Sequence, residues 1–288
     1  MLAYSMMRIT VLALAAAIGA SHSCAAQDLE EFYSPRAAAT SSAATTLFRH
    51  GPAQWQLVTD PARSGIHSQR FQVAAGDCSG DPNWDDCATD RERMEAVVDR
   101  HLQLGDDAWI AWSIYLPDDF PDITPTQTSL GQIGQIGGPR GTDRGMPSVP
   151  PLLQFTAEDT TYNCVWHQLS GSRTAVRVSD QRLVLTTLAE MRGHWTDLLL
   201  HISLSKAHGH AEIWVNGEQR AAITDQLITM DVDSWVFKYG IYRSFVSRYQ
   251  HKYGSSVPTQ IAYFDEVRIG SSRDQVDPRS AVAPPPVD

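Results

Sequence analysis

The segment Phe237-Lys238-Tyr239-Gly240-Ile241-Tyr242-Arg243 decides how the chain is read. Side chains of a β-strand alternate between two faces. As a strand, this segment puts Phe237, Tyr239 and Ile241 on one face, apolar enough to belong to a core. Lys238, Gly240 and Tyr242 fall on the other, where an ammonium and a phenol flank a position without a side chain and leave a ligand room to approach the sheet.

The surroundings strengthen the second face. Between Ser234 and Phe264 the chain carries Lys238, Arg243, Arg248, His251 and Lys252, five tyrosines (239, 242, 249, 253 and 263), and no Asp or Glu. The whole chain has a formal charge of −10, so a local basic surface interleaved with planar rings suits an anionic partner built of sugar rings. A solvated basic loop is the plain alternative. The acidic balance argues against nucleic acid as a partner.

Beyond this stretch, short alternating or apolar runs at 109–116, 152–156, 182–187, 195–204, 211–215, 236–242 and 261–269 are set off by turn residues and predict strands. Asn216-Gly217 between two such runs is a strong hairpin signal. By propensity 89–104 predicts a helix, because Thr89 and Glu92 make a capping box before loosely helical apolar spacing. Many short strands in 288 residues predict an all-β chain, a single β-sandwich or jelly roll with one concave groove. The expected organisation is a signal peptide over 1–26, a linker over 27–46, the jelly roll over 47–270 and a loose Pro-rich tail over 271–288. A leader with Arg8 before a short apolar run predicts a secreted or periplasmic protein; a lipid anchor at Cys24 is disfavoured by His22 and Ser23. No later run is long enough to span a membrane. Cys78 and Cys87 bracket a turn-rich loop and predict a disulfide, and Cys164 a buried free thiol.

Four segments carry a resemblance: the one quoted above, Asp90-Arg91-Glu92-Arg93-Met94-Glu95, Ile213-Trp214-Val215-Asn216-Gly217, and Tyr263-Phe264-Asp265-Glu266-Val267-Arg268-Ile269-Gly270. In this order they resemble the jelly-roll polysaccharide lyases that include glucuronan lyase and heparin lyase I. The resemblance covers about 47–270 and implies that 89–98 is a strand. It also implies β-elimination on a uronic-acid polymer. In that reaction the C5 proton is acidic enough to remove only when the neighbouring carboxylate is neutralised, for which the planar fork of Arg is well suited. A base then takes the proton and an acid protonates the leaving oxygen.

By match to the family pattern, Tyr242 is the catalytic tyrosine and Lys238 its cationic neighbour, with Arg91, Arg93, Glu95, Gln132, Gln135 and Arg243 as substrate-binding candidates. Arg91, Arg93 and Glu95 would serve equally well as cross-strand charge partners. The family's Gln-x-His has no match, because Gly134 follows Gln132 and Gly137 follows Gln135 where His is expected. Of the two glutamines, three apart and so on opposite faces of a regular strand, Gln132 is favoured. Three accounts of the missing His stand: Tyr242 makes both proton transfers, His167 or His251 fills the gap, or the protein binds acidic glycan without cutting it. On packing grounds His167 beside Trp166 reads as a core residue. No cofactor is expected for the chemistry and no metal ligand is assigned; a structural Ca2+ near Asp81, Asp85, Asp86 or Asp265 is the one ion considered. The expected partner is an anionic polysaccharide, bound by a monomer.

Overall fold

The computed structural model describes residues 54–81, 84–146, 148–224 and 226–281, and the backbone of 30–31 and 45–48. Two antiparallel sheets face each other. The back sheet runs β15 (Glu218–Ile223), β14 (His210–Val215), β13 (Trp195–Ser203), β8 (Asp107–Tyr115), β17 (Gln260–Gly270), β4 (Ser68–Val73) and β3 (Trp55–Val58), with β1 (Glu30–Glu31) also on β17. The front sheet runs β12 (Ala175–Thr187), β11 (Thr161–Ser172), β10 (Leu153–Glu158), β9 (Gln127–Ile136), β16 (Ser234–Ser244), β7 (Arg91–Leu102) and β2 (Thr45–Phe48). A small hairpin pairs β5 (Gly80–Asp81) with β6 (Trp84–Asp85). This is the expected jelly-roll sandwich.

The inner faces of both sheets meet in one aromatic core. Trp112 of β8 packs 5.0 Å from both Phe155 of β10 and Phe237 of β16, and Phe71 of β4 lies 5.0 Å from Phe264 of β17. The predicted strands all form, and the Asn216-Gly217 turn joins β14 to β15 with both residues at positive φ (53° and 86°), as a type I′ hairpin requires. The Cys78–Cys87 disulfide is present and Cys164 is a buried free thiol. Among the described residues no helix is long and apolar enough to cross a membrane.

Three expectations give way. The helix predicted over 89–104 is β7, where Met94, Ala96 and Val98 are fully buried while Arg91, Arg93 and Val97 are only partly covered. Cross-strand pairing on both sides of β7 outweighs the local capping signal. The first part of the expected tail packs down: a short helix (Arg273–Val276) buries Val276 against Ala111 and Leu199, and Arg279 donates to Asp197 at 3.3 Å. Within the expected linker, Glu30–Glu31 pairs with β17 and β2 pairs with β7. The signal segment lies outside the described residues, as do 282–288.

Arg243 sits on the core-facing side of β16 with no exposed surface. Its guanidinium is ion-paired with Glu92 of β7 and donates to the carbonyls of Pro258 (2.7 Å) and Ala74 (2.8 Å). Removing one charge of such a pair strands the other in a low-dielectric interior, at a cost of about 3–5 kcal/mol. Glu92→Gln should therefore lower the unfolding free energy by about that amount in denaturant titration. A loss below about 1 kcal/mol would show that the pair does not fasten β16 to β7.

Candidate active site

The middle of the front sheet is β9–β16–β7, and its register sets the site. Lys238 pairs with Gln132 on one side and Val97 on the other; Tyr242 pairs with Ser129 and Arg93. Between these rows the β9 register shifts, while β7 stays in step and sets Glu95 opposite Gly240. Phe237, Tyr239 and Ile241 are fully buried inward, leaving Lys238 and Tyr242 on the outer face as the alternation predicts.

Gly240 does something other than admit a ligand. Its φ is 121°, and a Cβ there would lie 2.5 Å from the Met94 carbonyl oxygen and 2.9 Å from Glu95 Cα, so the missing side chain allows β7 to approach. Glu95 also spans this bare position: its Oε1 accepts from Gln132 Nε2 at 2.5 Å, linking β7 to β9 across β16. Glu95 Oε2 accepts from Arg93 at 3.1 Å, and Arg93 grips Asp86 with two further bonds of 2.6 and 2.8 Å. The same guanidinium stacks on the Tyr242 ring, 4.2 Å from its centroid. Gln132, Glu95, Arg93 and Asp86 thus form a continuous polar floor that holds the tyrosine.

Burial works against Arg93's charge, but Glu95 and Asp86 more than offset it and its pKa is raised. Burial pushes the Tyr242 phenol above its ordinary value despite Arg93 and Arg91. Lys238 moves the other way: burial, aided by Arg93, lowers its pKa although Glu95 and Asp86 favour the charge. The pair is therefore biased towards a protonated phenol and a readily deprotonated amine.

Gly134, the glycine after the favoured Gln132, is covered by a neighbouring side chain. A Cβ built on Gly134 would lie 3.2 Å from Lys238 Cε and 3.7 Å from Nζ, so the lysine chain folds over the glycine and its nitrogen occupies space that a side chain at 134 would need. Gly134, Lys238, Tyr242, Gln132, Arg91 and Arg93 line one hollow of about 270 Å³. It adjoins a larger one of about 560 Å³, which shares Tyr242 and Arg91 and runs over β10–β12 past Gln154, His167 and Arg182.

The other candidates divide. Arg91 lines both hollows and lies over the Phe245 ring. Gln135 reaches the edge of the smaller hollow but commits its amide to the Pro150 carbonyl at 2.7 Å. Arg243 leaves the substrate set, because its odd-numbered place on β16 turns it to the core. His167 is buried in the wall of the larger hollow, its pKa lowered by burial, but β11 stands three strand spacings from β16, about 14 Å at about 4.8 Å each. Its backbone thus stands well apart from that of Tyr242, although both side chains line the larger hollow. His251 is exposed on the helix Val246–Tyr253. Sequence reading missed Arg144, Gln154 and Arg182 as groove residues; the alternation of the predicted strand at 152–156 would have flagged Gln154.

The aspartates considered for calcium already have protein donors. Asp85 accepts from the Cys87 amide (2.8 Å), Asp86 from Arg93, and Asp265 from the amides of Arg63 (2.8 Å) and Glu266 (2.8 Å). Burial nevertheless raises the Asp265 carboxyl to about 7. The side chain of Asp81 lies outside the described residues.

A family model described as polysaccharide lyase matches residues 37–268. No curated protein matches in sequence. The fold is similar to that of the endo-β-1,4-glucuronan lyase from the fungus Trichoderma reesei, with a TM-score of 0.61 at 18% identity over 79% of this chain and 90% of that one. It is also similar to a family 7 alginate lyase crystallised with its product, with a TM-score of 0.51 at 15% identity over 77% and 85% of the two chains.

The chain has three lysines, Lys206, Lys238 and Lys252, which makes the amine's environment directly measurable. In protein labelled with ¹³C-lysine, the Cε signal of Lys238 should titrate at lower pH than that of Lys252, whose pKa is raised by its hydrogen bond to Tyr253. Equal or reversed midpoints would contradict the buried setting of Lys238.

Proposed function

The chain belongs to the polysaccharide lyase family, and from that premise we propose that it cleaves a uronic-acid-containing anionic polysaccharide by β-elimination, with Lys238 as base and Tyr242 as acid. The observation that carries this reading is the convergence of both side chains on one hollow, with the Lys238 amine folded over Gly134.

Substrate lies along the groove with one uronate carboxylate against Arg91, which neutralises it and stabilises the enolate-like charge that develops next to C5. The neutral Lys238 amine takes the C5 proton. The electron pair forms the C4=C5 double bond as the C4–O bond breaks, and the leaving oxygen takes the Tyr242 proton. The two products leave an ammonium and a phenolate, and proton exchange with water restores both groups. Burial of Tyr242 disfavours a standing phenolate and therefore argues against one tyrosine making both transfers. Arg93, Glu95 and Gln132 act here as the ordered floor that fixes the tyrosine, since their groups already bind one another. Arg248 in the larger hollow favours further acidic sugar units along the groove, with Arg144 and Arg182 contributing beside their partners Asp180 and Glu158. The Cys78–Cys87 disulfide fits a secreted or periplasmic location.

A glycan-binding protein without turnover is the rival reading, and one experiment separates the two. With a panel of uronans, wild-type protein should produce the ultraviolet absorbance of a conjugated unsaturated uronate. Tyr242→Phe and Lys238→Met should each slow its appearance by about 10²–10⁴-fold while glycan affinity changes little. Lys238→Arg should not rescue, because guanidinium keeps its proton. The rate should rise with pH as Lys238 loses its proton, below the ordinary lysine range, and fall only where Tyr242 ionises, above the ordinary tyrosine range. Binding without product in any form would establish the rival; full activity of Lys238→Arg would remove the lysine from the base role.

A further inference from the structure

On the outer face of the back sheet, turned away from the core and on the opposite sheet from the groove, three metal-ligating side chains come together from three adjacent strands. Asp107 of β8 and His210 of β14 both pair with Ser203 of β13, in one row across the sheet. In the next row on the same face, His201 of β13 stands between Trp109 and Glu212. Ser203, with its small side chain, leaves space between Asp107 and His210. One ligand atom each from Asp107, His201 and His210 lies within 4.8 Å of the others.

The orientation of His201 is fixed on two sides. Its ring stacks on Trp109, with centroids 4.2 Å apart and planes 7° from parallel. Its Nδ1 is 3.3 Å from Glu212 Oε2 and its Nε2 is 2.9 Å from Asp107 Oδ1. A neutral imidazole that donates Nδ1–H to Glu212 turns the lone pair of Nε2 on the Asp107 carboxylate. Two electron-rich atoms then face each other, and a cation between them resolves the conflict. A carboxylate behind a histidine ligand is also the arrangement that orients and strengthens such ligands.

We propose that Asp107, His201 and His210 bind one Zn2+ ion, with Glu212 positioning His201 through its Nδ1–H and with water in the fourth place. Two imidazoles and one carboxylate form a donor set that suits zinc. Bonds of about 2.0–2.2 Å in a tetrahedron hold ligands about 3.3 Å apart, so the His201–Asp107 pair at 2.9 Å opens slightly to admit the ion, while the ligand atoms, all within 4.8 Å of one another, otherwise draw in around it. The ion has access from solvent, since the side chains of Asp107 and His201 are 53% and 17% exposed. Bound there, it joins β8, β13 and β14.

The full protein, stripped with a chelator and returned to metal-free buffer, is titrated with Zn2+ against a chromophoric competitor, and with Co2+ as a spectroscopic probe. The expected result is one Zn2+ per chain and visible Co2+ bands of tetrahedral intensity. His201→Ala and His210→Ala should each weaken zinc at least tenfold, and Glu212→Gln about 10-fold or more. Asp107→Asn, at an exposed position, should likewise weaken zinc at least tenfold, and circular dichroism checks that each variant is folded. No stoichiometric binding by the folded wild type, or binding that the His201 and His210 substitutions leave unchanged, overturns the proposal and identifies the cluster as an imidazolium held between two carboxylates.

Discussion

A strand cannot carry one side chain to its other face without carrying them all, and in β16 this rule couples the core to the groove. Phe237, Tyr239 and Ile241 are locked into the aromatic interior, and Arg243 is locked by Glu92 beneath the same surface. Lys238 and Tyr242 have no freedom left except outward. The site therefore inherits its precision from packing that never touches a ligand, and a register slip would exchange the amine and phenol for phenylalanine and isoleucine.

The charges in the groove are arranged in two layers. Arg93 is committed within the protein: the carboxylates of Asp86 and Glu95 bind it, Gln132 binds Glu95 in turn, and the face of the guanidinium supports the tyrosine ring. Arg91, whose side chain reaches both hollows, faces the space where an acidic sugar would lie. In a chain with a formal charge of −10, Arg91, Arg144, Arg182 and Arg248 bring cationic groups to the two hollows, the setting in which the proposed elimination would meet its anionic polymer.

Much of the fold was legible from the sequence because alternation and the Asn-Gly turn are local signals. β7 was misread by propensity because its capping box and apolar spacing are local too, and only pairing with β16 and β2 overrides them. At the site, alternation placed Lys238 and Tyr242 correctly and, carried one step further to residue 243, would have sent Arg243 inward. The role of Gly240 was not legible, because the approach of β7 and the Glu95–Gln132 bridge are contacts between distant segments. Nor could the motif reveal that the lysine covers Gly134, since that depends on a rotamer directed across to the neighbouring strand.

The central claim is that the amine over Gly134 and the phenol of Tyr242 together eliminate across a uronate linkage rather than merely hold it. The mass spectrum of oligosaccharides released from a uronan tests this most directly. Elimination yields non-reducing ends lighter by one water than hydrolysis would give, and the account predicts such ends in the wild type and their loss when either residue is replaced. Fragments carrying the full water of hydrolysis, or an intact polymer after prolonged incubation with protein that binds it, would contradict it.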